Sequence, residues 1–275
     1  LQQGNTGQAR GELERCIALN DKFYPALIRL AEISLQANDP DGALRHARQA
    51  LRVVPNSFEA HLAVGNVHLQ NNNLPEALRT FQTARRINPE SAAVHERIGY
   101  SYLQQGDVRR GERALEQALA LDSNHARALA DFAQYWVRKK QPQRAIERIQ
   151  RQIAKAPRNA EFYYLLARAQ TSDSHWQAAQ ESLRKAIELR TNYLEAHRML
   201  ARVLLTTDKP EEVITRLNAV VRNNPNDAQT YALLASAYQE QEEWEKATQG
   251  YERALELDPS FAFARSEERR VGKEC

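Results

Sequence analysis

Prolines recur at a fixed interval along this chain. Pro55, Pro89, Pro157, Pro225 and Pro259 are separated by 34, 68, 68 and 34 residues. Every gap is a multiple of 34, which indicates a repeated 34-residue segment, and repeats of this length are typical of arrays of short supersecondary units. The period therefore constrains the fold more strongly than the length of 275 residues, which alone would suggest about two domains.

The prolines define the register of the repeat when they are placed at position 32 of each segment. We number positions within a repeat from 1 to 34. This register predicts a partial repeat that contributes only its second helix, seven complete repeats, and the first residues of a truncated repeat. The predicted boundaries are 1–23 for the partial repeat, 24–57, 58–91, 92–125, 126–159, 160–193, 194–227 and 228–261 for the complete repeats, and 262–264 for the truncated one.

Small residues occupy fixed positions in this register. Position 8 never carries a side chain larger than methyl, and positions 20 and 27 are mostly alanine, whereas position 7 is always bulky and apolar. Small residues in register allow two helices to approach closely, and large residues fill the groove between them. Each repeat is therefore predicted to be a helical hairpin, with more separation in 194–227, where Val213 and Val220 replace alanine. Position 8 holds Ala31, Gly65, Gly99, Ala133, Ala167, Ala201 and Ala235.

This pattern resembles the tetratricopeptide repeat. The segments "AHLAVGNVHLQNNNLPEALRTFQTARRINP" and "YALLASAYQEQEEWEKATQGYERALELDP" carry its period, its small-residue positions and its terminal proline. The resemblance covers about residues 1–264. It implies an all-α fold, a right-handed α-α superhelix of helical hairpins, in which the first helix of each repeat lines a concave groove for a protein or peptide partner.

The pattern stops at Arg265. The segment "RSEERRVGKEC", residues 265–275, fits no repeat position in this register and resembles the translated sequence of a sequencing-library adapter. We interpret it as a non-native tail that interrupts a longer protein, and a native charged tail is the alternative. The interpretation predicts that the helix after Pro259 leaves the face of the seventh repeat partly exposed.

Composition and motifs favour a non-catalytic protein. The 38 basic and 35 acidic residues are mixed along the chain, which gives no indication of nucleic-acid binding, and no apolar run is long enough to insert in a membrane. Phosphate-binding loops, zinc motifs and nucleophile elbows are missing from the sequence, so we predict no cofactor and no metal site. His61, His95 and His197 share repeat position 4 and are predicted to be half-buried packing residues. Cys16, at position 27, is predicted to be small and buried, and Cys275 belongs to the tail.

Binding residues are expected at positions 2, 5, 6, 9, 12 and 13 of the first helices. Seven arginines and seven acids, Glu96, Asp131 and Glu195 among them, occupy these positions. One interpretation is that arginines beside tyrosines bind an acidic partner peptide, because this composition is typical of protein interfaces. The alternative is that these charges pair between neighbouring repeats, for instance Arg97 with Asp131 or Arg168 with Glu195. The predicted groove residues are Arg97, Tyr100, Arg127, Gln134, Arg138, Tyr164, Arg168, Arg198 and Arg202.

The predicted function is a non-catalytic scaffold that holds an extended or helical segment of another protein. Two alternatives remain open at the level of sequence. In the first, the chain is the repeat arm of a larger enzyme, such as a glycosyltransferase, sulfotransferase or signalling kinase. In the second, it is a component of bacterial envelope or polysaccharide-export machinery. The sequence leaves the cell compartment open.

Overall fold

The structure of the protein is a computed structural model that describes residues 2–272 and, for residues 2–6, the backbone alone. Those residues form sixteen α-helices and no strand, so the predicted all-α class is confirmed. Cys275 lies outside the described residues. The helices are α1 Gln2–Leu19, α2 Tyr24–Gln36, α3 Pro40–Val53, α4 Phe58–Gln70, α5 Leu74–Ile87, α6 Ala92–Gln104, α7 Val108–Leu121, α8 Ala126–Arg138, α9 Pro142–Lys155, α10 Ala160–Ser172, α11 Trp176–Leu189, α12 Leu194–Thr206, α13 Pro210–Asn223, α14 Ala228–Glu240, α15 Trp244–Leu257 and α16 Ala262–Val271.

The helices group into two compact bodies. The N-terminal body ends at Tyr135 and the C-terminal body begins at Trp136, within α8. Inside each body, a helix packs on the next one in the chain, as α2 does on α3 and α14 on α15. First helices of neighbouring repeats also touch, namely α2 with α4 and α12 with α14. Each body is thus a stack of hairpins.

The corners of the hairpins share one backbone conformation. The residue two places after the end of each first helix has a positive φ, at 84° for Gly106 and 56° for Asn72. After it, the amide of Asp107 donates to the carbonyl of Tyr102, which is the Schellman bond that ends a helix on a left-handed residue. The same conformation recurs every 34 residues, at Asn38, Asn72, Gly106, Lys140, Ser174, Asp208 and Glu242.

The small-residue positions are buried, as predicted. Gly65 and Gly99 are inaccessible, and a Cβ atom added to Gly99 would lie 2.7 Å from Leu115 Cγ and 3.0 Å from the carbonyl oxygen of Gly111. Such distances are shorter than normal contacts, so only glycine permits α6 and α7 to approach this closely. The pairing of α12 with α13 is sparser than that of the hairpins α2–α3, α4–α5, α6–α7, α10–α11 and α14–α15, as Val213 and Val220 predicted.

The end of the described chain differs from two predictions. Ala264 and Val271 are buried in one cluster with Tyr251, so α16 covers the face of the seventh repeat instead of leaving it partly exposed. Arg265 falls at repeat position 4, where its Nη2 donates to the carbonyl of Pro259, so it does fit the register. Ala264 and Val271 fall on the same side of α16 because they are seven residues apart, about two helical turns. Whether residues 265–275 are adapter-derived stays a prediction.

Candidate functional site

The predicted binding residues lie on four first helices. Those in the N-terminal body, on α6 and α8, are Arg97, Tyr100, Arg127 and Gln134. Those in the C-terminal body, on α8, α10 and α12, are Arg138, Tyr164, Arg168, Arg198 and Arg202. Their surroundings divide the arginines into a group that the protein's own acids engage and a group that remains available.

A buried carboxylate organises the N-terminal group. Glu96 was expected at an exposed position, but its side chain is only 2% exposed. The two arginines that flank it explain the burial, since Arg97 Nε lies 3.7 Å from Oε2 and Arg127 Nε lies 3.7 Å from Oε1. The Arg97 side chain is itself 18% exposed, whereas that of Arg127 is 60% exposed. Arg97 and Arg127 are therefore engaged by Glu96.

Asp131 completes this group from α8. Burial, followed by the adjacent Glu96 carboxylate, raises the pKa of Asp131 to about 8, against the lowering effect of Arg127 and Arg97. Burial likewise lowers the pKa of Arg97, although Glu96 opposes this change. Two carboxyl groups and two guanidinium groups thus share one site, and Asp131 holds a proton at neutral pH. We call Glu96, Arg97, Arg127 and Asp131 the Glu96 cluster.

We expect Asp131→Asn to stabilise the protein at alkaline pH. The pKa of Asp131 is raised on folding, so its contribution to the free energy of unfolding falls as pH rises from about 4 to about 8. Asparagine does not titrate, so the variant should match the parent near pH 4 and exceed it by about 5 kcal/mol above pH 8, since one pKa unit corresponds to about 1.4 kcal/mol. Urea denaturation of both proteins from pH 4 to 9 measures the difference. A difference that does not change with pH would contradict the raised pKa.

Arg198 is fixed within the C-terminal body. Its Nη1 donates to Asp227 Oδ1 at 3.1 Å and to Gln229 Oε1 at 2.8 Å, and its Nη2 lies 3.9 Å from Glu195 Oε1. Asp227 also accepts the amide of Thr230 and so caps the start of α14. Arg198 therefore joins α12 to the following repeat. At this residue the alternative interpretation, in which charges pair between repeats, is correct.

Arg168 and Arg202 have different surroundings. Both occupy repeat position 9, both are exposed, and within residues 2–272 no ion pair or side-chain hydrogen bond engages either of them. The pairing of Arg168 with Glu195, one example given for the alternative interpretation, is not formed, because the Glu195 contact goes to Arg198. Arg138 is exposed as well, near the end of α8.

A tyrosine group that the sequence did not indicate lies beside Arg168. The rings of Tyr164 and Tyr193 have centroids 5.1 Å apart, and the Tyr193 hydroxyl donates to Glu161 Oε2 at 2.6 Å. Arg190 donates to the same oxygen at 3.1 Å and lies 3.7 Å from the Tyr193 ring centroid. Burial and then the Glu161 contact raise the pKa of Tyr193. The Glu161 carboxylate is therefore hydrogen-bonded by two residues of its own repeat, 160–193.

The histidines at position 4 have a structural role. The Nε2 atoms of His61, His95 and His197 lie 3.1, 2.9 and 2.9 Å from the backbone carbonyl six residues earlier. Tyr163 at the same position donates to the Pro157 carbonyl at 3.1 Å. Among residues 2–272, no three His, Cys, Asp or Glu residues gather as a metal site would require.

Cys16 is half-buried, not buried as predicted. The reason is its helix, because α1 packs on α2, whereas the other position 27 residues lie between two neighbouring helices. None of the helices within the described part of the chain is long and apolar enough to cross a bilayer.

Comparison with known families agrees with this architecture. Tetratricopeptide repeat profiles match residues 171–237 and residues 228–261. The chain is thus a tetratricopeptide repeat protein, and this fold suggests a protein-interaction scaffold. A further profile, described as "Cilia and flagella-associated protein 70 C-terminal domain", matches residues 1–201. Since that match covers more than half of the chain, the protein belongs to this family. No curated protein matches the chain in sequence.

Solved structures with the same fold share little sequence with the chain. Yeast Tom70 aligns with a TM-score of 0.77 at 17% identity, over 98% of this chain and 59% of Tom70. The APC/C hetero-tetramer Cut9-Hcn1 gives 0.55 at 15% identity, over 98% of this chain and 46% of that one. A tetratricopeptide repeat protein from Parabacteroides merdae gives 0.56 at 14% identity, over 90% and 98%. The chain therefore spans less than two thirds of the first two structures.

Proposed function

We propose that this protein is a non-catalytic scaffold whose C-terminal body binds an acidic segment of a partner protein. Arg168 and Arg202 provide the positive charge, with Arg138 at the end of α8 as a further contact. The observation that supports this proposal is the difference between engaged and available arginines on the first helices.

Engaged arginines contribute little to a new contact, because a partner carboxylate would have to displace an existing one. Arg198 is held by Asp227 and Gln229. Arg168 and Arg202 need no such displacement, and an arginine can bind a carboxylate through two parallel hydrogen bonds. They occupy the same repeat position on α10 and α12. An extended acidic segment with carboxylates at two points can therefore contact both.

Apolar and aromatic residues beside these arginines favour a peptide over a small anion. Tyr164 and Leu205 are half-buried on the same helices, so each offers part of its side chain to a ligand. Aromatic residues with arginine are enriched in the central part of protein interfaces, where burial strengthens the charged contacts. Tyr100 and Gln134 are also predicted binding residues, but they lie in the N-terminal body and take no part in this proposal.

The test is a double charge reversal, Arg168→Glu with Arg202→Glu. The parent protein is first used to select nine-residue peptides from a randomised library, and a selected peptide rich in Asp and Glu is labelled with fluorescein. We expect the double variant to bind it at least tenfold more weakly in fluorescence anisotropy, because two ion pairs become repulsive. Helicity and thermal melting should not change, because both side chains are exposed.

Arg151→Glu with Arg222→Glu is the matched control. These arginines lie on the second helices α9 and α13, are exposed, and produce the same change in net charge. The control should bind the peptide within twofold of the parent. Equal losses in both double variants would mean that net charge, not the groove, attracts the peptide. A library without acidic enrichment would reject the acidic preference itself.

A repeat arm of an enzyme and a component of bacterial envelope machinery remain alternatives. No observation in residues 2–272 favours either of them, and the scaffold proposal requires neither.

A further inference from the structure

Net charge is distributed unevenly among the repeats. Five of the seven complete repeats carry a net charge between −1 and +1. Repeat 126–159 has nine basic and two acidic residues, a net charge of +7, whereas repeat 228–261 has two basic and seven acidic residues, a net charge of −5. The even mixture of charges over the whole chain therefore conceals two repeats with large charges of opposite sign.

The excess positive charge is exposed along α9 and at its two ends, in the C-terminal body. Lys140 precedes α9, Arg151 and Lys155 lie four residues apart on one side of it, and Arg158 follows it. All four side chains are exposed, and within the described residues none of them has an ion pair or a side-chain hydrogen bond. We call Lys140, Arg151, Lys155 and Arg158 the basic surface.

The excess negative charge lies at the equivalent place in repeat 228–261. The two basic residues of this repeat are already paired, Lys246 with Glu243 and Arg253 with Glu256. Four other glutamates are exposed, and in the part of the chain that the structure describes they have no ion pair and no side-chain hydrogen bond. They lie at the end of α14, in the following turn and on α15, and we call them the acidic surface: Glu240, Glu242, Glu245 and Glu252.

The hairpin corners of these two repeats carry opposite charges on the same backbone conformation. Lys140 and Glu242 both occupy repeat position 15, with φ values of 57° and 58°. In four of the other repeats this position holds Asn, Asp or Gly, which adopt a positive φ at low cost. Lysine and glutamate have no such conformational advantage. The property that they supply at the corner is an exposed charge.

The two surfaces are too far apart to neutralise each other within one chain. Between α9 and α15 the C-terminal body stacks the five helices α10 to α14, each packed on the next. The surfaces are thus three repeats apart, on the order of 30 Å at about 10 Å for each repeat. Because the Debye length is about 8 Å at physiological ionic strength, exposed charges at this separation interact only weakly.

We propose that the basic surface of one copy of this protein binds the acidic surface of a second copy. Each surface has four exposed charges, and each includes a helix of 14 residues, α9 or α15, so the two match in number of charges and in length. Lysine and arginine form charge-assisted hydrogen bonds with carboxylates. The partner is a second copy because every copy presents both complementary surfaces.

This contact is separate from the acidic segment assigned to Arg168 and Arg202. Those arginines lie on the first helices α10 and α12, whereas the two charged surfaces lie along second helices and the corners that precede them. The contact consists of exposed ion pairs, which salt screens. Self-association should therefore be strongest at low ionic strength.

The test is sedimentation velocity of the intact chain under reducing conditions, at about 20 mM and about 500 mM NaCl. We expect the parent to associate at the lower salt concentration and to be monomeric at the higher one. Lys140→Glu with Lys155→Glu, and separately Glu242→Lys with Glu252→Lys, should each associate about tenfold more weakly or worse, because each double variant brings like charges together. Circular dichroism checks that both variants are folded.

An equimolar mixture of the two double variants is the decisive measurement. The first variant keeps the acidic surface and the second keeps the basic surface, so the mixture should associate like the parent although neither variant does so alone. Restoration in the mixture requires that the two surfaces meet between copies. A mixture that stays monomeric would overturn the proposal, and so would a parent that is monomeric at low salt and about 0.5 mM protein, where even a millimolar association is detectable.

Arg48→Glu with Arg52→Glu is the matched control. These exposed arginines lie four residues apart on the second helix α3, in the N-terminal body, and their reversal changes the net charge as much as Lys140→Glu with Lys155→Glu does. The control should associate like the parent. An equal loss in the control would show that net charge governs association, and the assignment to these two surfaces would be wrong.

Discussion

Gly99→Leu is expected to destabilise the protein by about 3 kcal/mol. A Cβ atom at residue 99 would lie 2.7 Å from Leu115 Cγ and 3.0 Å from the Gly111 carbonyl oxygen. The Leu115 side chain has little room to move because it is 1% exposed, and the Gly111 oxygen is part of the α7 backbone. Leucine can be accommodated only if α6 and α7 separate, which disrupts the packing of the whole hairpin. Urea denaturation followed by circular dichroism measures the loss.

Gly11→Leu is the control for this change. A Cβ atom added to Gly11 in α1 meets nothing within 4 Å, so leucine there should be neutral or slightly stabilising through its better helix propensity. Both variants replace a helical glycine by leucine and differ only in the space around it. If Gly99→Leu denatures at the same urea concentration as the parent, the small-residue positions do not set the distance between helices.

Phe81→Ala is expected to cost about 3 to 5 kcal/mol. The Phe81 ring is among the largest side chains without solvent exposure, and it packs directly on Gly65, where an added Cβ atom would clash with Cε1. Removal of the ring leaves a cavity between α4 and α5 that the backbone cannot close fully. Phe23→Ala, at a residue that is 42% exposed, should cost much less.

The same contact predicts a reversal of sign. Gly65→Ala in the parent places a methyl group against the Phe81 ring and should be destabilising. In the Phe81→Ala background that methyl group enters the cavity, and alanine also favours the helix by about 1 kcal/mol over glycine. Gly65→Ala should then be stabilising. A double-mutant cycle measures the coupling between the two residues, and additive effects would contradict the geometry.

Much of the fold follows from the sequence because one interaction repeats. The proline interval and the small residues at positions 8, 20 and 27 indicate the hairpin, and Gly65, Gly99 and Ala133 are buried as this requires. The end of the chain was less predictable. Val271 lies in a segment whose sequence does not resemble the repeat. It nevertheless lies on the same face of α16 as Ala264, because the two residues are seven positions apart. Helical geometry, not identity to the repeat, decides that contact.

The candidate site was predictable only as a set of helices. The repeat register predicts that Glu96 and Arg168 lie on first helices. It does not predict the distances between residues of neighbouring repeats, which bury Glu96 and leave Arg168 exposed. Arg198 illustrates the same limit, since its partners are 29 and 31 residues away along the chain. Pairing depends on which rotamers neighbouring repeats allow, and a pattern of residue types does not contain that information.

The bond from position 4 to the carbonyl at the end of the previous repeat has an evolutionary consequence. Histidine, tyrosine and arginine all make it, at His95, Tyr163 and Arg265. Leu27 and Leu129 occupy the same position without a donor and are buried, so position 4 accepts either a donor of suitable reach or a buried leucine. Homologous arrays can diverge at this site into chemically unrelated side chains without loosening the stack, so substitution tables would score as radical many changes that the architecture accepts.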